Sequence, residues 1–253
     1  YADDLVFPGM LHSKILRSPH PHARIVSIDT TGARALEGVH GAITGQDMPT
    51  TYGVIPWTPD EYPLCLDRVR YIGDGVAAVA AVDEDTALRA LELIEVEYEE
   101  LPAFFDPFDA LEAGGSSPYV HDAKKTGWNG NITKKVHLEF GKVDELMDGS
   151  DVLMEGDYFF EGTTHTPIEP HCAIGLWQTG GGFEGPAGES SGKLTVWSAT
   201  QVPHYLHREL ARVLEVDQAH VRVLQPFVGG AFGGKSEPFD LKFCVAKLSM
   251  VTG

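Results

Sequence analysis

The sequence predicts a mixed α/β (α+β) protein, and three observations carry that prediction. Short segments with alternating apolar and polar residues recur along the 253-residue chain, amphipathic helical segments separate several of them, and an aperiodic stretch rich in Gly, Ser, Pro and Asn divides the chain near residues 112–130. A composition of 43% hydrophobic and 22% charged residues, with 28 Gly and 16 Pro, is that of a globular chain with many turns.

Taken in order, "LHSKILRS" from Leu11 and "ARIVSID" from Ala23 alternate and read as strands on either side of the turn "PHPH". "TTGARALEG" reads as a short helix capped by Thr30 or Thr31, and "VHGAIT" as a further strand. "VRYIGDGVAAVAAV" ends in a continuous apolar run suited to a strand buried on both faces. Asp83 then caps "EDTALRALELI", where Ala87, Leu91 and Ile94 keep helical spacing, and "EVEYEEL" alternates again, so strand, helix and strand form a compact unit with a crossover helix. Beyond Asn131 the pattern predicts the strands "ITKKVHLEF", "VLMEGDYFFEG", "HCAIGLWQT" and "LTVWSAT", with a hairpin "GGGFEGPAGESSG" between the last two. "VPHYLHRELARVLEV" is an amphipathic helix with Leu206, Leu210, Val213 and Leu214 on one face. It leads to the strand "VRVLQPFV", a glycine loop and a closing helix, "FDLKFCVAKLSM".

Charge excludes some functions. A formal net charge of −18 repels nucleic-acid backbones and anionic membranes. No apolar run reaches the roughly 18 residues that span a bilayer, and the first residues lack the layout of a signal peptide, so the default location is cytoplasmic. Cys65, Cys172 and Cys244 are too dispersed for a disulfide framework or a metal site and read as small hydrophobes; iron-sulfur clusters, if the chemistry needs them, belong to another chain. The chain opens at Tyr1 without Met and closes in or just past a helix, which reads as a fragment.

The motif that raises a question is "FVGGAFGGKSEP", because Gly229, four residues, then Gly234-Lys235-Ser236 satisfies the pattern of a phosphate-binding P-loop. A P-loop also needs a downstream strand ending in a magnesium-binding Asp, and only 17 residues follow Ser236. A plain connecting turn is the other bland reading. Bare backbone at Gly229, Gly230, Gly233 and Gly234 suits close approach of main-chain N–H groups to a ligand beside a helix start. In "SATQVPH", Gln201 could hold an oxo or hydroxyl ligand without adding charge, or be an ordinary surface residue. Glu169, entering a strand beside Pro170, reads as structural. His165, His171, His204 and His207 show no metal-ligand spacing.

Together "LRSPHPHARI", "VRYIGDGVAAVAAV", "VEYEELP", "IEPHCA", "TQVPH" and "GGAFGGK" resemble the large, molybdenum-binding subunit of the xanthine dehydrogenase and aldehyde oxidase family, in the family's order. The resemblance implies an α/β hammerhead domain over residues 1–111, a linker over 112–130 and the first part of a molybdopterin-binding domain over 131–253. It implies that Gly230, Ala231, Phe232 and Gly233 bind a molybdopterin cytosine dinucleotide carrying molybdenum, and that Gln201 is the catalytic glutamine that hydrogen-bonds a molybdenum oxo ligand. Iron-sulfur and FAD-binding subunits are the implied partners, and the catalytic base lies beyond Gly253. Purine-hydroxylating members typically carry an acid after the loop lysine, whereas Ser236 stands here and Glu237 follows, which weighs against purines. "EYPL", "LPAFF" and "TQVPHYLH" look most like the α-subunit of 4-hydroxybenzoyl-CoA reductase, implying reductive dehydroxylation of an aromatic acyl-CoA with ferredoxin as electron donor; hydroxylation of aldehydes or N-heterocycles is the alternative.

Overall fold

The computed structural model describes residues 1–53, 60–113, 120, 131–132, 134–179 and 192–253. Most of the expected linker, and all but Gly192 of the expected hairpin over 180–192, lie outside the described residues.

Two three-stranded sheets build the N-terminal half. One has the order β1 (His12–Arg17), β5 (Gly75–Ala81), β3 (Val39–Thr44), antiparallel throughout. The apolar run of β5 takes the centre, where all its residues are buried. The other sheet has the order β4 (Arg68–Val69), β2 (Ala23–Asp29), β6 (Glu95–Glu100), also antiparallel. Helix α1 (Thr31–Ala35) has Thr30 at its N-cap position as expected, but the Thr30 hydroxyl makes no capping bond; Asp29 Oδ1 accepts from the Thr31 amide at 2.8 Å instead. Helix α2 (Glu84–Glu92) is capped as expected, with Asp83 accepting from the Thr86 amide at 2.7 Å. However, β5 and β6 belong to different sheets, so α2 carries the chain from one sheet to the other and does not close a crossover within one. The alternation of β6 reports a strand with one buried face and leaves its neighbour open.

A short helix α3 (Pro107–Glu112) follows, and α4 (Val143–Asp148) lies in the second half. The strands expected at 132–140 and 152–162 do not form among the described residues. Phe140, Met154, Tyr158, Phe159 and Phe160 stand 84–97% exposed. Their alternation marks faces fit for burial, but a strand also needs a hydrogen-bonding neighbour, and none of the described strands pairs with them.

The third sheet has the order β7 (Ala173–Gln178), β8 (Lys193–Ser198), β9 (Val221–Leu224). β7 runs antiparallel to β8, whereas β8 and β9 are parallel, joined through α5 (Pro203–Val213), which buries Leu206, Leu210 and Val213. The last helix, α6 (Asp240–Thr252), packs between this sheet and the β3 face of the first. Two glycines permit that approach: a Cβ on Gly175 of β7 would lie 2.6 Å from the Val245 carbonyl oxygen, and one on Gly41 of β3 would lie 3.0 Å from Thr252 Cγ2. A single apolar core therefore runs from Ile43, Ala78 and Ala80 through Phe243, Cys244 and Leu248 to Leu194, Val196 and Leu206. Cys65 and Cys244 are buried in the manner of small hydrophobes, while Cys172 is half-buried with its thiol 3.9 Å from Asp3 Oδ1.

Candidate functional site

Adjacent parallel strands present their carboxyl ends side by side, which is where open α/β arrangements place ligands. Here the ends of β8 and β9 lead into the two motifs singled out from sequence, and the Gln225 side-chain amide ties them by donating to the Thr200 carbonyl. Gln201 follows β8 and is solvent-exposed. Its backbone amide donates to the Lys235 carbonyl at 2.9 Å, and its Oε1 accepts from the Lys235 amide at 3.3 Å. With the carbonyl end of the side chain held, the NH2 end is the part left to face a ligand.

The glycine loop leaves β9 and turns through left-handed backbone at Gly230 (φ 92°), Phe232 (φ 53°) and Gly233 (φ 92°). Glycine adopts that conformation freely, whereas at Phe232 it costs on the order of 1–3 kcal/mol, strain that characteristically sits at functional sites. The Gly234 amide donates to Ala231 O at 2.8 Å and the Ser236 amide to Gly233 O at 3.2 Å. By contrast, the amides of Gly230, Ala231, Phe232 and Gly233 donate to no acceptor among the described residues. These are the four positions read from sequence as cofactor-binding. The face is open: a Cβ on Gly233 would meet only His165 Nε2, at 3.7 Å, and Phe232 is 75% exposed.

Beneath the loop runs the segment from His165 to Glu169. A Cβ on Gly234 would lie 3.0 Å from His165 Cγ, one on Gly230 3.4 Å from Pro167 Cβ, and one on Gly229 2.7 Å from Glu169 Cβ. Thr166, β-branched and at φ 43°, is strained within it. Glu169, read from sequence as structural, fixes the backbone of the glycine loop itself. Its Oε2 accepts from Lys235 Nζ at 2.7 Å and from the Gly229 amide at 2.7 Å. Lys235 has no exposed surface. Desolvation alone would raise the Glu169 pKa, but the hydrogen bonds from Lys235 and Gly229 outweigh it and hold the carboxyl below its ordinary value.

This geometry removes the P-loop reading. A P-loop lysine reaches out to phosphate, whereas Lys235 points inward to a carboxylate, and the Ser236 hydroxyl turns back on Gly233 O at 2.5 Å. The histidines do not converge: His207 Nε2 is taken by the carbonyls of Gln218 and Val221, each at 3.0 Å, and the His171 ring meets Phe239 edge-on at 4.6 Å. A cavity of about 1050 Å3 lies between the N-terminal sheets and α6, lined by Arg17, Arg70, Tyr71, Asp74, His171 and Asp240 among others; Gln201 and the glycine loop are not among its walls.

Comparison with known proteins gives the same reading of both halves. Residues 1–102 match the family described as aldehyde oxidase and xanthine dehydrogenase, a/b hammerhead domain, and residues 124–253 match the molybdopterin cofactor-binding domain. A probable xanthine dehydrogenase subunit from Bacillus subtilis is 38% identical over 255 residues, covering all of this chain and 31% of its own length. The nicotinate dehydrogenase large molybdopterin subunit of Eubacterium barkeri is 38% identical over 93% of this chain and 51% of its own. The crystal structure of quinoline 2-oxidoreductase from Pseudomonas putida 86 superposes with a TM-score of 0.81 at 30% identity, covering 100% of this chain and 31% of that one. The chain thus spans about a third to a half of the length of these relatives. It belongs to the xanthine dehydrogenase and aldehyde oxidase family, as the hammerhead domain and the start of the molybdopterin-binding domain of a molybdenum-binding subunit.

Proposed function

We propose that this chain is part of the catalytic subunit of a molybdenum oxidoreductase, with its glycine loop and Gln201 facing the cofactor. The observation that carries the reading is the row of four amides, Gly230 to Gly233, with no acceptor among the described residues, beside the oriented amide of Gln201. Such a row suits the anionic and hydrogen-bond-accepting edges of a molybdopterin cytosine dinucleotide. When bound, that group supplies a two-electron redox centre. The loop would hold it through backbone amides, and Gln201 would donate to it from Nε2. Domain limits at 1–111, 112–130 and 131–253, iron-sulfur and FAD-binding partner subunits and a cytoplasmic location complete the proposal.

For the reaction, we favour hydroxylation of an N-heterocycle or aldehyde, the chemistry suggested by relatives named for nicotinate, quinoline and aldehyde. Ser236 places a hydroxyl, folded back on Gly233 O, where purine-hydroxylating members typically carry an acid. A second reading, dehydroxylation of 4-hydroxybenzoyl-CoA with ferredoxin, is supported by the stretches "EYPL" at 61–64, "LPAFF" at 101–105 and "TQVPHYLH" at 200–207. One variant tests both. Gln201→Ala in the full-length protein should leave molybdenum content near that of the parent, because backbone groups hold the pterin. Turnover should fall about ten- to a thousand-fold, the loss that follows removal of one donor to developing charge. Assays with nicotinate, quinoline or an aldehyde against 4-hydroxybenzoyl-CoA plus a low-potential donor decide between the reactions. A protein free of molybdenum and pterin, or unchanged turnover at full occupancy, would contradict the assignment.

A further inference from the structure

We propose that Glu169 is a positioning residue: with Lys235 it forms a buried clasp that sets the shape of the glycine loop and, through the backbone of Lys235, the direction of the Gln201 amide. For its effect on cofactor loading the proposal rests on the reading above, whereas its effect on the loop does not.

The loop amides left without partners run from Gly230 to Gly233, and the clasp grips just outside them. On one side Glu169 Oε2 accepts from the Gly229 amide at 2.7 Å, and on the other it accepts from Lys235 Nζ at 2.7 Å. The Glu169 amide also donates to Gly229 O at 3.3 Å, so one residue holds Gly229 through both its side chain and its backbone. Lys235 extends the grip, since its carbonyl and amide are the two groups bonded to Gln201. One carboxylate therefore connects the segment 165–169, the glycine loop and Gln201, three residues past β8.

An ion pair is a poor choice if stability alone is wanted, because desolvation offsets most of its attraction and packed apolar residues do as well. What it supplies here is direction. A carboxylate oxygen accepting two hydrogen bonds places both donors at once, and the Lys235 ammonium, with no exposed surface, has no route to water if the carboxylate is removed. The loop holds left-handed backbone at Phe232, and its internal bonds, from Gly234 to Ala231 O and from Ser236 to Gly233 O, close turns at 231–236 and leave the Gly229 end to Glu169. The strained Thr166 in the underlying segment fits a surface shaped to carry the loop.

The test uses the full-length protein with Glu169→Ala, Glu169→Gln and the charge-balanced double variant Glu169→Ala/Lys235→Met. Amide hydrogen exchange of Gly229, Gly234, Lys235 and Ser236, the loop amides that donate hydrogen bonds, is measured in metal-free protein, and molybdenum content and the Mo(V) electron paramagnetic resonance spectrum in protein as isolated. Glu169→Ala should speed exchange in the loop by about tenfold or more, the factor carried by a lost charge-assisted hydrogen bond, with β8 and β9 unchanged. Molybdenum content should drop at least about threefold by the same loosening. Glu169→Gln, which keeps an acceptor for both donors, should restore most of the protection. The double variant leaves no unpaired charge, so it should regain thermal stability while its loop still exchanges fast and its Mo(V) spectrum stays altered. A double variant with parental loop exchange and spectrum would show that the pair only balances charge, and would overturn the proposal even if Glu169→Ala fails to fold. Parent protein lacking molybdenum would remove the cofactor reading alone, because loop exchange would still decide the clasp.

Discussion

Lys242, in the first turn of α6, has no exposed surface, donates to Glu237 O at 2.7 Å and lies 5.2 Å from the centre of the Phe239 ring. Burial lowers its pKa from the ordinary lysine value to about 8, opposed by Glu237. A lysine held below its unfolded pKa of roughly 10.4 binds fewer protons in the folded than in the unfolded state between those two values, so its contribution to stability improves as pH rises through that window. Below pH 8 the folded protein carries the full cost of the buried charge. Lys242→Met should therefore raise stability at pH 7 by about 3 kcal/mol, less whatever the lost bond to Glu237 O contributed. The gain should shrink between pH 8 and roughly pH 10. Denaturant unfolding of both proteins at the two ends of that range checks the sign, and an equal difference at both ends would mean that Lys242 titrates normally. At this scale the sequence was partly legible. Gln201 and the glycines could be singled out by residue type, as a neutral amide past a strand and as bare backbone, each beside a bland reading as a surface residue or a connecting turn. Glu169 and Lys235 do not, because the two partners are 66 positions apart and no spacing rule links them. What stood in view was one carboxylate beside a proline and one lysine among glycines.

Strands and helices whose partners are local or whose pattern is continuous were legible in the same way. The apolar run of β5 could only be central, and Asp83 could only cap α2, because both follow from a handful of adjacent residues. Pairing was not legible, since alternation tells which face a strand buries and not which neighbour it meets. The separation of β5 and β6 into two sheets is one consequence, and the segment over 134–168 is the other. Val136, Leu138 and Phe140 alternate as a strand would and are 66–84% exposed, while Tyr158, Phe159 and Phe160 are 87–97% exposed. Side chains in that state contribute little to stability, so replacing Tyr158, Phe159 and Phe160 together by Ser in the 253-residue chain should change its unfolding free energy by less than about 1 kcal/mol. The same change should lower its binding of a hydrophobic dye and its tendency to aggregate, because it removes a contiguous apolar patch. In a chain as long as the relatives, a cost of several kcal/mol for the same triple substitution would show that further residues cover the segment. A large loss already in the 253-residue chain would contradict the exposure of these side chains.

Across the whole molecule, the two family domains are joined by more than their connecting chain. Helix α6 begins beside the N-terminal half, where Asp240 pairs with Arg17, and its body lies between β3 and β7, so one apolar core includes residues of both domains. A core that is shared cannot melt in halves. Calorimetry of the 253-residue chain should accordingly show one transition for the ordered parts of both domains, with calorimetric and van't Hoff enthalpies in agreement. The two glycines on either side of α6 make the test sharper, because they differ in what opposes a side chain. At Gly175 a new Cβ would meet the Val245 carbonyl oxygen at 2.6 Å and Ala246 Cα at 3.0 Å, backbone atoms that move only if the helix moves. At Gly41 the nearest atom is the Thr252 methyl at 3.0 Å, on a side chain in the last turn that can give way. Gly175→Ala should then cost about 3 kcal/mol and Gly41→Ala about 1 kcal/mol or less. The decisive outcome is the form of the curve. If α6 binds the two domains into one unit, Gly175→Ala lowers a single transition by several degrees and carries the β1-β5-β3 sheet with it, although the substitution lies in the other domain. If the scan splits, and only the part holding β7 to β9 melts early, the domains are independent and the shared core carries no coupling between them.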